Sequence, residues 1–490
     1  MSQPLIVIVT CGFTLLAVIG APVSQVLGVK TSLKTNIILV MCDDLGWCDV
    51  GFNGGEKIKT PQLDKMASQS LVFDRFYAAS AVCSPTRGSV VTGRNPYRYG
   101  IVNANKGHMK SEEVTIYEAL KSKGYCTGHF GKWHLGTLTK TVKESNRGGP
   151  KGVKDYSPPW EHGVDVTFAT EAKTPTYDPM VKPGATVKGD FRKSSQRGWW
   201  PIRQGDARVS YNTYYWTGPD QMVNPTTLAG DDSKIIMDRA IPFIEKCVKS
   251  DKPFLAVIWL HAPHLPVVAG KEHTNLYPNA IDAYHANYYG CVTAVDDQIG
   301  RLRKALRDMG IAENTLLAFT SDNGPEGKTG DPGSSANFSG RKRSLKEGGI
   351  RVPGLIEWPA RIKQTRRTAF PAGTMDYFPT IMKITGFTMP DARPIDGVSL
   401  LPLIDGTINE RPSPIGFIYA GQSSLIGNQY KIYRGKKNKK AKEWELYDLS
   451  KDSSEKNNLV AEKPEVLSKM TKIFDTWRKS VDQSAQGKDY

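Results

Sequence analysis

The chain has 490 residues, enough for one large and one small domain. Its 39% hydrophobic, 9% aromatic and 23% charged content excludes a disordered or fibrous protein. Lysine and arginine number 65 against 49 acidic residues, and the resulting +16 favours polyanionic partners: nucleic acid, anionic lipid, or a sulfated or phosphorylated polymer.

Residues 1–29 carry no charged side chain, residues 5–23 are strongly apolar, and Val26-Leu27-Gly28 offers a small residue for cleavage. This reads as a signal peptide of a secreted or periplasmic protein, despite lacking a basic start, with a retained membrane anchor as the alternative. No later apolar run approaches the ~20 residues of a membrane span, so the mature form is expected to be soluble. Of seven cysteines, Cys11 would leave with the signal peptide. With Cys83 set aside, Cys42, Cys48, Cys126, Cys247 and Cys291 cannot all pair, and no CxxC spacing suggests zinc.

Residues 35–41, 254–260 and 315–320 are continuous apolar runs, the mark of strands buried on both faces. Helical patterns lie around 111–123, 232–249 and 284–309. This alternation predicts an α/β fold with a large, mostly parallel central sheet flanked by helices on both faces. Residues 140 to about 224 form an expected insertion, rich in Gly, Pro, Trp and Tyr, with 13 basic against 8 acidic residues between Lys140 and Arg208. From about Arg411 the chain reads as short strands, a solvated basic hairpin tip at 434–442, and a final helix over 463–481. The expected division is a catalytic domain at 30–385 and a smaller α+β domain with a short antiparallel sheet at 386–490.

Polar residues gather where the apolar runs end. Asp43-Asp44 follows the first, His261-Ala262-Pro263-His264 the second, and Ser321-Asp322-Asn323-Gly324 the third. A parallel sheet brings such strand ends to one edge, where ligands bind. Helix capping explains most such residues taken singly. Adjacent Asp43 and Asp44, however, repel unless a cation or a basic group lies between them. Three carboxylates and an amide oxygen suit a hard divalent cation, Ca²⁺ or Mg²⁺. In Cys83-Ser84-Pro85-Thr86-Arg87, Pro85 fits a first helical turn with Ser84 as its cap. That would place Cys83 at a helix N-terminus, a position that favours anions and activates nucleophiles. A small buried cysteine ahead of a helix is the plain alternative.

Cys83-Ser84-Pro85-Thr86-Arg87, with Thr92-Gly93-Arg94, resembles the signature of the formylglycine-dependent sulfatases, members of the alkaline-phosphatase-like superfamily. The resemblance continues through Gly131-Lys132-Trp133-His134, Pro263-His264-Leu265-Pro266, Ser321-Asp322-Asn323-Gly324 and Gly340-Arg341-Lys342 ahead of Glu347-Gly348-Gly349. It reaches Tyr447-Asp448-Leu449 and Asn458-Leu459 near the C-terminus. It implies a sulfuric ester hydrolase in which a formylglycine-generating enzyme oxidises Cys83. Asp43, Asp44, Asp322 and Asn323 would hold the cation, Ca²⁺ rather than Mg²⁺, with Cys83 as hydrated aldehyde supplying a metal-bound hydroxyl that attacks sulfur. Arg87 would steady the hydrate, and Lys132 and Lys342 would clamp the sulfate. His264, with Lys342, would protonate the leaving oxygen, and His134 would take a proton from the hydrate.

Cys42 and Cys48, where relatives mostly carry small residues, read as packing cysteines. His261 is a candidate positioning residue, and Lys346 takes the role of Lys342 if the register is shifted. Trp199, Trp200 and Arg203 in the insertion are candidate substrate contacts, through ring stacking and guanidinium–sulfate pairing, or are local packing. The charge, the signal peptide and the insertion together predict a sulfated polysaccharide or oligosaccharide substrate and no nucleic-acid partner. The rival readings are a phosphoester or phosphonate hydrolase of the same fold and a non-catalytic binder of sulfated glycan.

Overall fold

The computed structural model describes residues 1–2, 7, 34–185, 199–201, 207–437, 440–441 and 443–490. The expected signal peptide lies almost wholly outside the described residues, as do Arg203 and the side chains of Trp199 and Trp200. Among the described residues no helix is long and apolar enough to cross a membrane. Lys34–Tyr490 forms one compact unit.

Nine strands make the central sheet: β1 (Asn36–Cys42), β2 (Leu71–Phe73), β3 (Cys126–Lys132), β4 (Val166–Thr170), β5 (Tyr215–Trp216), β6 (Phe254–Trp259), β7 (Thr315–Ser321), β8 (Gly354–Glu357) and β9 (Arg366–Thr368). Their spatial order is β9-β2-β8-β7-β1-β6-β3-β4-β5. The five strands from β7 to β4 are mutually parallel. Antiparallel pairs β7–β8, β8–β2 and β4–β5 make the sheet mixed towards its edges. The principal helices are α1 (Cys83–Thr92), α2 (Ile116–Ser122), α3 (Asp232–Lys249), α4 (Ala283–Asp308), α5 (Tyr377–Thr385) and α6 (Pro464–Ala485).

The period of two in β1 serves two cores, because successive side chains leave opposite faces of the sheet. Ile38, Val40 and Cys42 join Ile236 and Ile244 of α3 and Val292 and Ile299 of α4 on one face. Ile37, Leu39 and Met41 join Tyr117 and Leu120 of α2 and Phe378 and Ile381 of α5 on the other. Burial on both faces is why the strand reads as an unbroken apolar run. Helix α2 begins at Ile116, later than the sequence pattern suggests, because Thr115 and Glu118 form a reciprocal capping box there.

Strands β4 and β5 both come from the stretch 140–224 expected as an insertion. Val166-Thr167-Phe168-Ala169-Thr170 is short and threonine-rich, so it did not stand out as an apolar run.

Near the C-terminus, Ile415–Tyr419, Gln422–Ile426, Tyr430–Arg434 and Glu445–Asp448 form an antiparallel meander. One face takes Met470 and Phe474 of α6 against Leu425, Ile432 and Leu446. The other packs Phe417, Ile426 and Tyr433 against Tyr77, Ala79 and Val82. Val82 immediately precedes Cys83, so this small sheet supports the segment that carries the cysteine.

Candidate active site

Because β1, β7, β6, β3 and β4 run in parallel, their carboxyl ends lie along one edge, and each delivers polar residues there. Asp43 and Asp44 follow β1, and Asp322 and Asn323 follow β7. Lys132 ends β3, with His134 two residues on, and His264 follows β6. The β3 strand can lie close to β6 because Gly131 (φ 101°) brings its backbone up to Trp259; a Cβ there would sit 1.9 Å from the Trp259 carbonyl oxygen.

Helix α1 brings Cys83 and Arg87 to the same edge. Cys83 is its first residue, with Val82 rather than Ser84 at the cap position; the Ser84 hydroxyl has no hydrogen-bond partner. Gly93, in the left-handed region at φ 70°, ends the helix. The buried Cys83 Sγ lies 3.5 Å from Asp43 Oδ1.

Three carboxylates and three cations interlock here. Lys132 Nζ is 2.7 Å from Asp43 Oδ2, and Lys342 Nζ is 2.6 Å from Asp44 Oδ1. Arg87 donates to Asp322 Oδ2 from Nε at 3.0 Å and Nη2 at 2.6 Å, with its guanidinium over the Trp259 ring. Asn323 Nδ2 donates to Asp44 Oδ1 at 2.6 Å, leaving the buried Asn323 Oδ1 without a partner among the described residues. Asp44 itself sits at φ 67°, an uncommon conformation for a non-glycine residue and one that gathers at functional sites.

The electrostatics follow from burial set against charge. Burial opposes ionisation of Asp43, but Lys132, and after it His264, Arg87 and Lys342, hold its carboxyl well below the usual range. Asp322 is pushed up to about 7 by burial and then by the charge of Asp43, against the pull of Arg87. Burial also opposes the Lys342 ammonium, but Asp44 holds it well above its usual value. The Cys83 thiol is driven up, first by burial and then by Asp43, so as a thiol it is a poor nucleophile.

Both histidines are neutral at pH 7. Burial, then Lys132, keeps His134 well below the usual histidine range. Its Nε2 is 2.7 Å from Asn105 Oδ1, which fixes the Nε2–H tautomer and leaves Nδ1 a buried acceptor with no partner. Burial lowers His264 to about 4, against the opposing pull of Asp43 and Asp44. His264 Nδ1 donates to the Leu265 carbonyl at 2.7 Å, and Nε2 lies 3.6 Å from Asp44 Oδ2.

A cavity of about 550 Å³ opens above these groups, with Cys83, Lys132, His134, His264 and Lys342 in its lining. Asp43, Asp44, Cys83 and His264 each offer a ligand atom within 4.8 Å of the others. Two carboxylates with the nearby Asp322 and the orphaned Asn323 oxygen form a hard-oxygen donor set, which fits a divalent cation such as Ca²⁺ or Mg²⁺. Lysine ammoniums now occupy part of that charge.

Two other sequence candidates sit elsewhere. His261 is fully buried behind the site, with Nδ1 2.8 Å from Asp232 and Nε2 2.7 Å from Thr170 Oγ1. Lys346 points to the small sheet, 3.2 Å from Glu445 and over the rings of Tyr433 and Tyr447. Cys42 is buried beside the pair and Cys48 partly so, and both are free thiols. Sequence reasoning missed Asn105, which holds His134, and Lys173, which lines the cavity. Lys173 lies three residues beyond the end of β4, so the strand-end rule would have found it had that strand been recognised.

The comparisons with known proteins agree with this chemistry. The family model described as Sulfatase matches residues 35–387, and one described as N-sulphoglucosamine sulphohydrolase, C-terminal, matches 338–483. The N-acetylgalactosamine-6-sulfatase of Homo sapiens is 30% identical over 410 residues, covering 80% of this chain and 69% of the relative. Arylsulfatase G of Rattus norvegicus is 31% identical over 390 residues, covering 76% and 69%. The crystal structure of Ps i-CgsB superposes with a TM-score of 0.75 at 27% identity, over 92% of this chain and 94% of the other. With the family model covering most of its length, the chain belongs to the sulfatase family and is a sulfuric ester hydrolase.

Proposed function

We propose that the chain hydrolyses sulfate esters of a sulfated polysaccharide or oligosaccharide, using a formylglycine made from Cys83 and a divalent cation, Ca²⁺ in preference to Mg²⁺. The observation that carries this reading is Cys83 beside Asp43 in the lining of a cavity rich in lysines. Support for the substrate class comes from relatives: an N-acetylgalactosamine-6-sulfatase, and Ps i-CgsB crystallised with k-i-k-neocarrahexaose at 26% identity and a TM-score of 0.74. Export through the N-terminal apolar segment and maturation by a formylglycine-generating enzyme belong to the same proposal.

Asp43, Asp44, Asp322 and Asn323 would hold the cation. Together, cation and formylglycine hydrate supply a hydroxyl acidic enough to act as a nucleophile at neutral pH. The chain's own residues do the rest. Arg87, anchored on Asp322, steadies residue 83. Lys132 and Lys342 bind the sulfate oxygens and offset the charge that builds on them. Lys342 and His264 both line the cavity, and together they would protonate the leaving oxygen. His134 Nδ1, neutral and unpartnered, accepts a proton at the other end of the reaction.

Release of inorganic sulfate from carrageenan and chondroitin sulfate oligosaccharides, compared with hydrolysis of a phosphonate monoester, tests the reading. Sulfate release at a higher kcat/KM than phosphonate cleavage is expected. The reverse preference would move the chain to the rival reaction on the same fold.

A further inference from the structure

Among the described residues the cavity wall carries four cationic side chains, Lys132, Lys173, Lys342 and Arg343. Three of them have carboxylate partners. Lys132 pairs with Asp43, Lys342 with Asp44, and Arg343 places two nitrogens on Glu326 at 2.6 and 2.9 Å. Lys173 has no carboxylate partner among the described residues.

Its position is built in. In the sheet register Thr170, the last residue of β4, stands opposite Lys132, the last of β3, so both chains leave the sheet at the same edge. The Thr170 hydroxyl donates to the Ala172 carbonyl at 2.7 Å. On the other side, the Thr174 hydroxyl accepts from the Met180 amide at 3.0 Å. Ala172 and Thr174 are both buried, while Lys173 between them is exposed. Partial burial, then the like charges of Lys132 and Lys342, push its ammonium below the usual lysine range, against the pull of Asp44 and Asp43. With the neighbouring carboxylates already paired to the other three cations, an anion entering the cavity is the partner that Lys173 lacks among the described residues.

We propose that Lys173 binds a second anionic substituent, a further sulfate or a uronate carboxylate, on the same glycan whose sulfate ester Lys132 and Lys342 hold. This rests on the sulfated-glycan reading above and adds a specificity rule to it: the preferred substrate carries at least two negative groups within one or two sugar units. Lys173 acts on recognition and takes no part in the proton transfers. A cation at the Asp43–Asp44 pair would only enlarge the positive surplus that the second anion meets.

The test uses the mature, Ca²⁺-loaded enzyme turning over 4-nitrophenyl sulfate, with three competing sugars: galactose 6-sulfate, a galactose disulfate, and a monosulfated disaccharide carrying a uronate. Wild type should bind one or both doubly charged sugars about tenfold more tightly than galactose 6-sulfate, the range of one charge-assisted contact. Which of the two gains identifies the second anion. In Lys173→Gln that preference should collapse towards unity, in Lys173→Arg it should persist, and the salt dependence of binding should flatten only in the former. An unchanged preference in Lys173→Gln, or an equal weakening for all three sugars, overturns the proposal. Calorimetric titration of the same sugars reads the preference without turnover. If the wild type leaves 4-nitrophenyl sulfate and all sulfated sugars uncleaved, the sulfatase mechanism fails while calorimetry still decides Lys173.

Discussion

Two clusters of buried charge, one at the catalytic edge and one beneath the small C-terminal sheet, use the same residue types for different ends. In the second, Lys431 Nζ lies 2.9 Å from both Glu347 and Glu455, and all three side chains are fully buried. Tyr77 donates to Glu347 at 3.0 Å, and the Glu347 amide donates to Glu455 at 2.8 Å. None of these residues lines the catalytic cavity, and the cluster ties the C-terminal sheet to the segment before Cys83. Glu455 Oε1 in that cluster meets Lys431 as an ion pair but accepts no hydrogen bond. At the catalytic edge the ions are paired as tightly, yet among the described residues Asn323 Oδ1 and His134 Nδ1 have no partner of either kind, Asp44 is held at φ 67°, and a cavity opens above. Buried charge alone therefore does not mark a site. Buried charge with unsatisfied donors or acceptors and access for a ligand does.

The largest effects that this contrast predicts fall on turnover. Cys83→Ala should lower kcat by about 10⁴-fold or more while the thermal midpoint stays close to wild type, since a small buried side chain is exchanged for another. Mass spectrometry of the mature Cys83 peptide should show an aldehyde in place of the thiol; a free thiol in fully active enzyme would sink the mechanism. Chelation should abolish turnover and added Ca²⁺ restore it. Excess Ca²⁺ should also raise the unfolding free energy, by about 2.7 kcal/mol at a hundred times Kd. In a Lys431→Met enzyme Ca²⁺ should restore turnover in the same way, because that cluster does not line the catalytic cavity.

A paired substitution separates the clusters next. Lys431→Met strands two buried carboxylates and should cost about 3–5 kcal/mol of stability, with kcat per folded molecule unchanged. Lys132→Met should cost kcat/KM about 10²–10³-fold, as expected for losing a group that stabilises transition-state charge. Its stability deficit should shrink when Ca²⁺ is present to neutralise Asp43. Denaturant titration with and without Ca²⁺, beside steady-state kinetics, decides both.

The catalytic edge was legible where an apolar run stops at a polar pair. Asp43-Asp44 and Asp322-Asn323 are visible because β1 and β7 are buried on both faces and must be apolar until they end. Lys132 and His134 were not visible that way. Strand β3 reads Cys-Thr-Gly-His-Phe-Gly-Lys; its buried His129 meets the Tyr117 hydroxyl through Nδ1 at 2.7 Å, and its glycines permit close packing. Those two residues came from motif resemblance alone. Lys173 was hidden because β4 is threonine-rich and lies inside a stretch that looked like an insertion. Asn105 was hidden because a loop asparagine has no period. Neighbouring basic residues left Lys342 and Lys346 as alternatives in the sequence; in the structure Lys342 reaches Asp44 and Lys346 reaches Glu445.

Glu144 gives the smallest and cleanest contrast, because it is a buried carboxyl with no cation at hydrogen-bond distance among the described residues. Its oxygens accept from the Trp216 indole at 2.9 Å and the Tyr214 amide at 3.1 Å. Burial is the main cause that pushes it up to about 8, against those two bonds and with Glu171 adding to the rise. A carboxyl whose folded pKa is raised binds a proton more readily when folded, so its contribution to stability is complete below the ordinary glutamate value. That contribution is lost as pH climbs through the window from about 4.5 to about 8 and is absent above it. Asp43 and Glu347 are held in the opposite direction, and these two carboxyls lose their contribution only in acid, whereas Asp322 and Glu455 in the same clusters are raised like Glu144. Glu144→Gln should therefore flatten the fall in stability between pH 5 and pH 8 and leave the acid limb as it was, an effect of ~1.4 kcal/mol per pKa unit. Unfolding midpoints across that range read it directly. A slope that persists unchanged in Glu144→Gln would mean that another buried carboxyl titrates there, with Asp49 and Asp231, pushed up to about 6 and about 7 by burial, next to be replaced.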